Sequence, residues 1–403
     1  MRPASLVRNR TATLCFGVLS IAVLSGCASL DSGTKSLPKS FERYTRMDIK
    51  LPVSAAFGPD RRLWRVVSTN EQVYVDFSSD YGKTFSPPVA VNRERMPIKA
   101  QSEYRPQIAV TASGRIYVAY PAVGPQPWTT YLSVSEDQGQ HFGTPEPLSD
   151  QAQTGNSFQT LLAIDPEDNL HAFWHDEREG ADEARGNDIF HTVLDAQGKT
   201  VQSNRKIVND VCSCCRLAVD FDTNGKPVLI TRFIYSDNVR DHGLAKPEAG
   251  RAEWSTTRAT NDGWKIEACP VHGPAISIAP NGRYHIAWFT QGTKRQGLFY
   301  AFSDDRGQNF SEPMALGRPD RLPGHPDVLA VGDRVVLAWN EFDGQTNRAM
   351  IKQSKDGGQT WSEAVVAADS SSEVDFPFLL TDGLAVFLSW NSQDKGYRLI
   401  RID

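Results

Sequence analysis

Residues 280–289 read Pro-Asn-Gly-Arg-Tyr-His-Ile-Ala-Trp-Phe, a short polar turn that leads into an apolar run rich in aromatic residues. A run of this kind beside a turn of Gly, Asn or Asp predicts two strands joined as a hairpin. Six similar turns occur along the chain, and the last residues of successive turns lie 50 to 57 positions apart. They are residues 58–60, 112–114, 166–168, 223–225, 331–333 and 381–383. A strand-rich repeat of this length predicts a β-propeller.

A second motif, Ser-x-Asp-x-Gly-x-x-aromatic, occurs four times within this repeat. Its Asp can accept hydrogen bonds from backbone N–H groups of a turn, and its Gly permits a positive φ. The aromatic side chain is expected to pack back under the sheet. The four copies are residues 78–85, 135–142, 303–310 and 354–361, and residues 260–264 look like a shortened fifth copy.

This motif resembles the Asp-box, or BNR, repeat of the sialidase superfamily, and the resemblance covers about residues 45–403. In that family each Asp-box lies between the third and fourth strands of a blade, on the face away from the active site. The resemblance therefore implies an all-β propeller of four-stranded blades in which the boxes build the fold. It also implies that binding and catalytic residues lie on the opposite face.

Counting the repeats predicts seven blades, with six, the number found in sialidases, as the alternative. We expect them at residues 53–92, 104–150, 158–208, 215–268, 273–316, 325–368 and 375–403. The seventh repeat holds only three strands. A strand within residues 44–51 would supply the fourth, close the ring and remove an exposed edge. The propeller domain is therefore expected to cover residues 44–403.

The N-terminus is predicted to be an export signal. Residues 1–26 place three arginines ahead of an apolar stretch at 12–24, which is too short to span a bilayer. The stretch ends in Leu24-Ser25-Gly26-Cys27, which resembles the bacterial lipobox with its lipidated Cys; ordinary secretory cleavage is the alternative. Residues 27–43 would then be the lipidated Cys and a flexible tether. The absence of Asp after Cys27 resembles outer-membrane lipoproteins, so we expect a lipid-anchored protein of the bacterial cell envelope.

The links between blades and the loops after each second strand should share one face and meet in an axial funnel. The sialidase resemblance implies three arginines there that hold a substrate carboxylate, an Asp that acts as acid and base, and a Tyr–Glu nucleophile pair. Arginine suits the first role because its guanidinium binds carboxylates in a bidentate manner. The candidates are Arg105, Arg178 and Arg216 with His175 for the ligand, Asp176 for the acid, and Tyr104 or Tyr120 with Glu177 or Glu341 for the nucleophile. Structural salt bridges at the mouth of the funnel are the alternative interpretation.

Apart from Cys15 in the signal and the anchor, the chain has four cysteines, Cys212, Cys214, Cys215 and Cys269. An even number in an oxidising compartment favours disulfides. We expect Cys212–Cys215 and Cys214–Cys269, because a bridge between adjacent cysteines is strained. A metal site is the alternative, since these thiols with His272 and His325 offer ligands that suit Cu(I) or Zn²⁺. A redox-active dithiol is a third interpretation.

Two functions are therefore predicted. The first is a sialidase-like envelope lipoprotein that binds a glycan or carboxylate-bearing ligand in the funnel and requires no cofactor. If it is an enzyme, we expect a sialidase-like glycoside hydrolase, with exo-sialidase or other glycoside hydrolase activity. The second is a non-catalytic binding protein that uses the Cys/His cluster for a soft metal such as copper, or for a redox role. The formal net charge of −5 lacks the basic excess of a nucleic-acid-binding protein, so the expected partners are a membrane and a glycan or small ligand.

Overall fold

The structure, a computed structural model, describes residues 49–123, 127–179, 186–248, 250–251, 253–268 and 270–403. Its strands form seven antiparallel sheets, one for each predicted repeat, so the prediction of a seven-bladed all-β propeller is confirmed. Each sheet is built from strands that are consecutive in the sequence and paired in chain order. In the described ranges, six sheets have four strands and the last has three.

The strands are numbered in chain order, with the first strand of each blade innermost. Blade 1 contains β1 (Ser54–Phe57), β2 (Leu63–Ser68), β3 (Val73–Ser78) and β4 (Val89–Ala90). Blade 2 contains β5 (Gln107–Val110), β6 (Ile116–Ala122), β7 (Thr129–Ser135) and β8 (Glu146–Pro147). Blade 3 contains β9 (Ser157–Ile164), β10 (Leu170–Asp176), β11 (Asn187–Leu194) and β12 (Thr200–Val211). Blade 4 contains β13 (Ala218–Phe221), β14 (Pro227–Arg232), β15 (His242–Pro247) and β16 (Trp254–Arg258). Blade 5 contains β17 (Ala275–Ile278), β18 (Tyr284–Gln291), β19 (Gln296–Ser303) and β20 (Met314–Leu316). Blade 6 contains β21 (Gly324–Val331), β22 (Arg334–Phe342), β23 (Asn347–Ser354) and β24 (Val365–Ser370). Blade 7 contains β25 (Phe378–Thr381), β26 (Val386–Ser392) and β27 (Gly396–Ile402).

Helical structure is limited to two short 3₁₀ turns, Ser236–Asn238 and Pro319–Arg321, in the part of the chain that the structure describes. Neither they nor any other described helix has the length and apolar character needed to cross a bilayer. The position of the functional residues is therefore set by the strands and the loops that join them.

The first strands form the inner wall of the ring. Each contacts the first strand of the next blade, and β25 of the last blade contacts β1. Side chains also bond across these contacts: Asp220 Oδ2 accepts the backbone N–H of Ile278 at 2.6 Å, and Asp327 Oδ2 accepts that of Leu379 at 2.7 Å. The ring is therefore closed at its inner wall.

The second strand of each blade is packed from both sides, as β22 illustrates. Val335, Leu337 and Trp339 join a core shared with blade 5. Val336 and Ala338 point to the other face and join a core shared with blade 7. Because both faces are buried against neighbouring blades, the second strands read as continuous apolar runs.

Six of the seven turns of the repeat contain one residue with a left-handed backbone. It is glycine in five of them, with φ between 62° and 85°, and Asp168 in the sixth, at φ of 67°. In the seventh, residues 58–60, the left-handed residue is Arg61, which directly follows the turn and has φ of 63°. Since glycine enters this region without steric cost, the turn composition follows from the backbone geometry that the hairpins require.

The Asp-boxes make the hydrogen bonds that the sequence predicts. In the first box, Ser78 Oγ donates to Asp80 Oδ1 at 2.7 Å. The backbone N–H groups of Gly82 and Thr84 donate to Ser78 Oγ and Asp80 Oδ1, each at 2.8 Å. The same three bonds recur in the other complete boxes at 2.7 to 2.9 Å.

The glycine of each box also packs against the preceding blade. A Cβ at Gly139 would lie 2.6 Å from Cζ3 of Trp64 in blade 1, and a Cβ at Gly358 would lie 2.0 Å from the hydroxyl of Tyr300 in blade 5. No side chain fits at these distances. The glycine of the motif therefore permits close contact between blades as well as the positive φ of the turn.

Blades 7 and 1 meet through aromatic rings and ion pairs. The rings of Phe57 and Tyr81 in blade 1 each lie 5.3 Å from the ring of Phe387 in blade 7. Arg61 of blade 1 donates to Asp382 of blade 7 at 2.8 Å. This last contact of the ring thus combines ring stacking with charge.

A buried ion pair connects three blades at this junction. The side chains of Arg105, before β5, and Asp375, before β25, are 5% and 2% exposed. Arg105 Nη1 donates to Asp375 Oδ2 at 3.1 Å, and Nη2 donates to Oδ1. The backbone of Val53, before β1, donates to Asp375 at 3.0 Å and accepts from Arg105 at 3.0 Å. The pair therefore ties blades 7, 1 and 2 together.

The strand predicted within residues 44–51 lies mostly outside the described residues. Its described part, residues 49–51, forms no strand. Lys50 donates its backbone N–H to Ser68 of blade 1 at 2.7 Å, and Asn391 of blade 7 donates to the carbonyl of Leu51 at 2.7 Å. These residues connect the last blade to the first.

Burial lowers the pKa of seven of the eight histidines below the ordinary value, to about 4 for His175, His272 and His285. An imidazole with a lowered folded-state pKa contributes its full stability above the unfolded pKa of 6.5 and loses it as pH falls toward the folded value. Acidification therefore acts against the fold at these positions.

We predict that His285→Gln makes the protein less sensitive to acid. The His285 ring bonds the Tyr300 hydroxyl at 2.7 Å, and a glutamine amide keeps a polar partner there without binding a proton. Between pH 7 and 4.5 the variant should lose about 2 to 3 kcal/mol less unfolding free energy than the unmodified protein. Denaturant titrations of both proteins at each pH measure this difference. Parallel stability curves for the two proteins would contradict the prediction.

We also predict that Arg105→Ala destabilises the ring. It leaves the Asp375 carboxylate buried without its charge partner, which costs about 3 to 5 kcal/mol. Arg95→Ala is the matched control, because Arg95 and Glu71 form an ion pair that is 71% and 55% exposed. The control should cost less than about 1 kcal/mol. Equal, small losses in denaturant titrations would show that Arg105 is not a structural residue.

Candidate functional site

A cavity of about 230 Å³ lies between the first strands of blades 1, 2, 3 and 7, and we call it the axial cavity. Its polar lining includes Glu103, Arg105, Gln159 and Arg216, and Phe378 supplies an aromatic wall. Arg105 and Arg216 lie with their guanidinium carbons 4.3 and 4.9 Å from the Phe378 ring. Two of the three predicted arginines therefore meet at this cavity, whereas Arg178 is not among the lining residues.

Arg105 and Arg216 differ in what their guanidinium groups can still bind. Arg105 is occupied by Asp375 and by backbone carbonyls. Arg216 donates from Nη2 to the carbonyl of Pro326, but its buried Nε has no hydrogen-bond partner among the described residues. Burial lowers the pKa of Arg216, and nearby Asp327 opposes that shift. Arg216 is therefore the arginine of this cavity with an unused donor.

Gln159 also lines the axial cavity and has an unpartnered amide. It is 4% exposed, and neither Nε2 nor Oε1 has a hydrogen-bond partner within the described ranges. Its φ is 47°, in a region that few residues other than glycine adopt. It lies at a β-bulge, where the pairing of β9 with β10 shifts register between Phe173 and His175. A strained residue with unpaired polar atoms beside a cavity indicates a binding site.

Arg178 and Asp176 form a separate ion pair in blade 3. Arg178 donates to the two oxygens of Asp176 at 2.9 and 2.8 Å, and Trp174 Nε1 donates to Asp176 at 2.8 Å. Burial disfavours the Asp176 carboxylate, but these hydrogen bonds outweigh burial and lower its pKa below the ordinary value. A carboxylate held ionised in this way is poorly suited to donate a proton at neutral pH.

The predicted glutamates are bonded to neighbouring groups. Glu341, in β22, is 2% exposed and accepts from Trp339 Nε1 and from the backbone of Arg318, each at 3.1 Å. Glu177 follows β10 and accepts from the amides of Asn156 and Asn187. Glu341 and Glu177 thus lie on different blades and hold local structure.

The predicted tyrosines lie in aromatic surroundings. The Tyr104 ring is 5.8 Å from that of Trp128 and 5.9 Å from that of Phe158. Tyr120 is fully buried, and burial raises its pKa. A raised pKa disfavours the phenolate that a nucleophile requires.

Three cysteines form a compact thiol cluster before β13. The Sγ atom of Cys212 lies 3.6 Å from that of Cys214 and 3.9 Å from that of Cys215, and all three lie within 4.8 Å of one another. Their exposures are 0%, 6% and 0%. Hydrogen bonds from the other two thiols lower the pKa of Cys212, and burial raises the pKa of Cys215.

The predicted Cys212–Cys215 disulfide is absent from the structure, and the predicted Cys214–Cys269 disulfide includes a residue outside the described ranges. Cys212, Cys214 and Cys215 are free thiols. The 3.9 Å between Cys212 and Cys215 is nearly twice the ~2.05 Å of a disulfide bond. Cys269, the expected partner of Cys214 and a predicted metal ligand, lies outside the described residues, as does Cys27.

Two buried arginines lie beside the thiol cluster. Arg240 Nη1 donates to Cys212 Sγ at 3.4 Å and is 8% exposed. Arg232 is fully buried, its carbonyl accepts the backbone N–H of Cys212 at 2.8 Å, and its guanidinium donates to backbone carbonyls. Sequence reasoning missed Arg240, because the only signal was its place in the long loop after β14.

The predicted histidines fall in two places. His272 and His325 stack on each other with ring centroids 4.5 Å apart, between Phe289 and Phe376. They are not part of the group of metal-binding atoms that the three thiols form in the described residues. His175 is fully buried, and its imidazole interacts with the Cys212 thiol and with the backbone of Cys215. The structure therefore places His175, and not the stacked pair, beside the thiols.

No known protein family matches the chain, and no curated protein matches it. Solved structures do match its fold. A polysaccharide lyase described as an ulvan lyase of a new family has a TM-score of 0.58 at 11% identity, over 88% of this chain and 94% of that one. A structure with the same description, bound to -[GlcA(1-4)Rha3S]-, has a TM-score of 0.57 at 11% identity over the same shares. The polysaccharide lyase Uly1 has a TM-score of 0.53 at 8% identity, over 84% of this chain and 87% of that one. At these identities the likeness shows a shared β-propeller fold.

Proposed function

We propose that the chain binds one small carboxylate-bearing molecule, such as a single acidic sugar, in the axial cavity. The observation that carries the proposal is that Arg216 and Gln159 both line this cavity, and that Arg216 Nε and both side-chain amide atoms of Gln159 have no hydrogen-bond partner among the described residues. Buried polar groups are seldom left unpaired in proteins. The N–H groups of Arg216 and of the Gln159 amide can donate hydrogen bonds to a carboxylate, and the Gln159 carbonyl oxygen can accept one from a neighbouring hydroxyl group of the ligand.

The volume of the cavity limits the ligand. About 230 Å³ is below the ~300 to 1,000 Å³ of sites for drug-sized molecules, so a single ring fits and an extended chain does not. The solved propeller bound to -[GlcA(1-4)Rha3S]- is consistent with an acidic sugar, but the ligand class here rests on Arg216 and Gln159.

The proposal does not include hydrolysis. Asp176 is paired with Arg178, Glu341 is buried against Trp339, and Tyr120 is fully buried, so none is positioned as a reacting group at the axial cavity. We do propose kinship with the sialidase superfamily, supported by four complete Asp-boxes with matching hydrogen bonds.

We predict that glucuronate binds and glucose does not, because only the former carries a carboxylate for Arg216. Arg216→Gln should weaken glucuronate binding about tenfold or more, the size of a lost charge-assisted hydrogen bond. Glu103→Gln should strengthen it, since Glu103 places a like charge at the cavity. Isothermal titration calorimetry measures the affinities of the unmodified protein for glucuronate and glucose and those of both variants for glucuronate.

Arg318→Gln is the matched control for this experiment. Arg318 is 61% exposed in an ion pair with Asp320 and lies outside the lining of the axial cavity. It should leave glucuronate binding unchanged. Equal affinity for glucose and glucuronate, or an Arg216→Gln variant that binds like the unmodified protein, would overturn the proposal.

We propose further that Cys27 anchors the chain by lipid in the envelope of a bacterium, most simply at its outer membrane. The support is the sequence Leu24-Ser25-Gly26-Cys27 and the residues that follow it. Cys27→Ser should abolish incorporation of labelled palmitate and release the protein from the membrane fraction, whereas Cys15→Ser should do neither. Membrane fractionation that is identical for both variants would contradict the anchor.

A further inference from the structure

We infer that Cys212, Cys214 and Cys215 bind one soft metal ion, Cu(I), through three thiolates. This inference concerns a different site from the axial cavity and does not rest on the ligand proposed there. It differs from the site expected from sequence, because His272 and His325 are engaged in their own stack.

The separations of the sulfur atoms match a trigonal site. An ion bonded to three sulfurs at about 2.3 Å sets them about 4 Å apart when all four atoms share a plane. The observed separations from Cys212 Sγ are 3.6 and 3.9 Å. Both separations lie within a few tenths of an ångström of the value for a planar site, and the third pair of sulfurs lies within 4.8 Å.

The backbone fixes the thiols in this arrangement. The Cys212 N–H donates to the carbonyl of Arg232 at 2.8 Å, which joins the cluster to β14. The Cys215 N–H donates to the carbonyl of Cys212 at 3.4 Å, which folds residues 212–215 into a turn. Ile234 packs against the cluster and excludes water from it.

The surrounding charge favours thiolates over thiols. Arg232 and Arg240 are both buried, and within the described residues neither forms an ion pair with a carboxylate. A buried guanidinium without an anion is costly. Three thiolates with one Cu(I) carry a net charge of −2, which the two arginines balance.

The donor set selects the metal. Thiolates favour soft ions such as Cu(I) and also bind Zn²⁺. Structural Zn²⁺ sites take four ligands in a tetrahedron, whereas the described cluster supplies three sulfurs. His175 lies beside the thiols but is not part of this group of metal-binding atoms, and three sulfur ligands without a fourth ligand suit Cu(I) better.

The experiment uses the full chain, extracted in detergent, reduced under anaerobic conditions and titrated with Cu(I) against bathocuproine disulfonate. We expect one Cu(I) per chain in the competition assay. Cys214→Ser should weaken binding by at least about a hundredfold, the upper range for loss of a supporting group. Ser213→Ala is the matched control and should bind like the unmodified protein, because its side chain lies in the same turn without a sulfur.

X-ray absorption of the Cu(I)-loaded unmodified protein keeps the test independent of how the variants fold. Three sulfur ligands at about 2.3 Å would support the site. Two sulfurs, or any set dominated by nitrogen and oxygen, would overturn it. So would Zn²⁺ displacing Cu(I) at equal concentration.

Arg240→Leu tests the charge argument. Loss of this guanidinium should weaken Cu(I) binding about tenfold, because it removes a positive charge next to Cys212 Sγ and the −2 complex. Unchanged Cu(I) affinity would contradict the charge argument. A last experiment measures the oxidation state of the three cysteines in the native protein, by alkylation of free thiols in freshly isolated envelopes followed by mass spectrometry. We expect three free thiols, and a Cys212–Cys214 disulfide would overturn the metal site.

Discussion

The Asp375 carboxylate holds the two ends of the ring together, and the rest of the structure depends on that closure. Each second strand is apolar on both faces, so no blade can be left without a neighbour on either side. The chain must therefore return on itself, and the junction receives a carboxylate that bonds Val53 of blade 1 and Arg105 of blade 2. This constraint also explains the role of Arg105. The resemblance to sialidases predicts that it binds a substrate, but its guanidinium is bonded to Asp375 and stabilises the closed ring.

Local sequence was sufficient for the architecture. A glycine at a positive φ or an Asp that accepts its own turn's N–H groups depends on residues within a few positions, as in Ser78–Asp80–Gly82. Such contacts repeat wherever the motif repeats, so the blade count followed directly. The contact of Gly139 with Trp64 shows what the motif did not reveal, because that packing partner belongs to another blade.

The site was harder to predict because its partners are remote in sequence. Asp375 is 270 residues from Arg105, and the sequence around neither residue indicates that the two form an ion pair. Gln159, whose amide has no hydrogen-bond partner within the described residues, lies at a register shift between two strands that no side-chain pattern encodes. The thiol cluster was visible because its three members fall within four residues, whereas the predicted Cys212–Cys215 disulfide, which the structure lacks, followed from the expected compartment and not from the positions of the sulfur atoms.

The two proposed sites are adjacent along the backbone. Cys215 belongs to the thiol cluster, and the next residue, Arg216, lines the axial cavity. A change in the backbone of the turn at 212–215 should therefore move the guanidinium of Arg216. The effect of a mutation in either site should be measured on ligand binding at both sites. This adjacency also makes Arg240 and Arg232, which hold the turn from the other side, relevant to the position of Arg216.

The compactness of the cysteine motif has a consequence for folding. All three sulfurs belong to a single tetrapeptide, so the unfolded chain already holds the three thiols of the proposed metal site close together. An ion bound by both the unfolded and the folded chain stabilises the fold by less than its affinity would suggest. What folding adds is the guanidinium groups of Arg232, at the end of β14, and Arg240, in the loop that follows, so the folded chain should hold the ion more tightly than the unfolded chain.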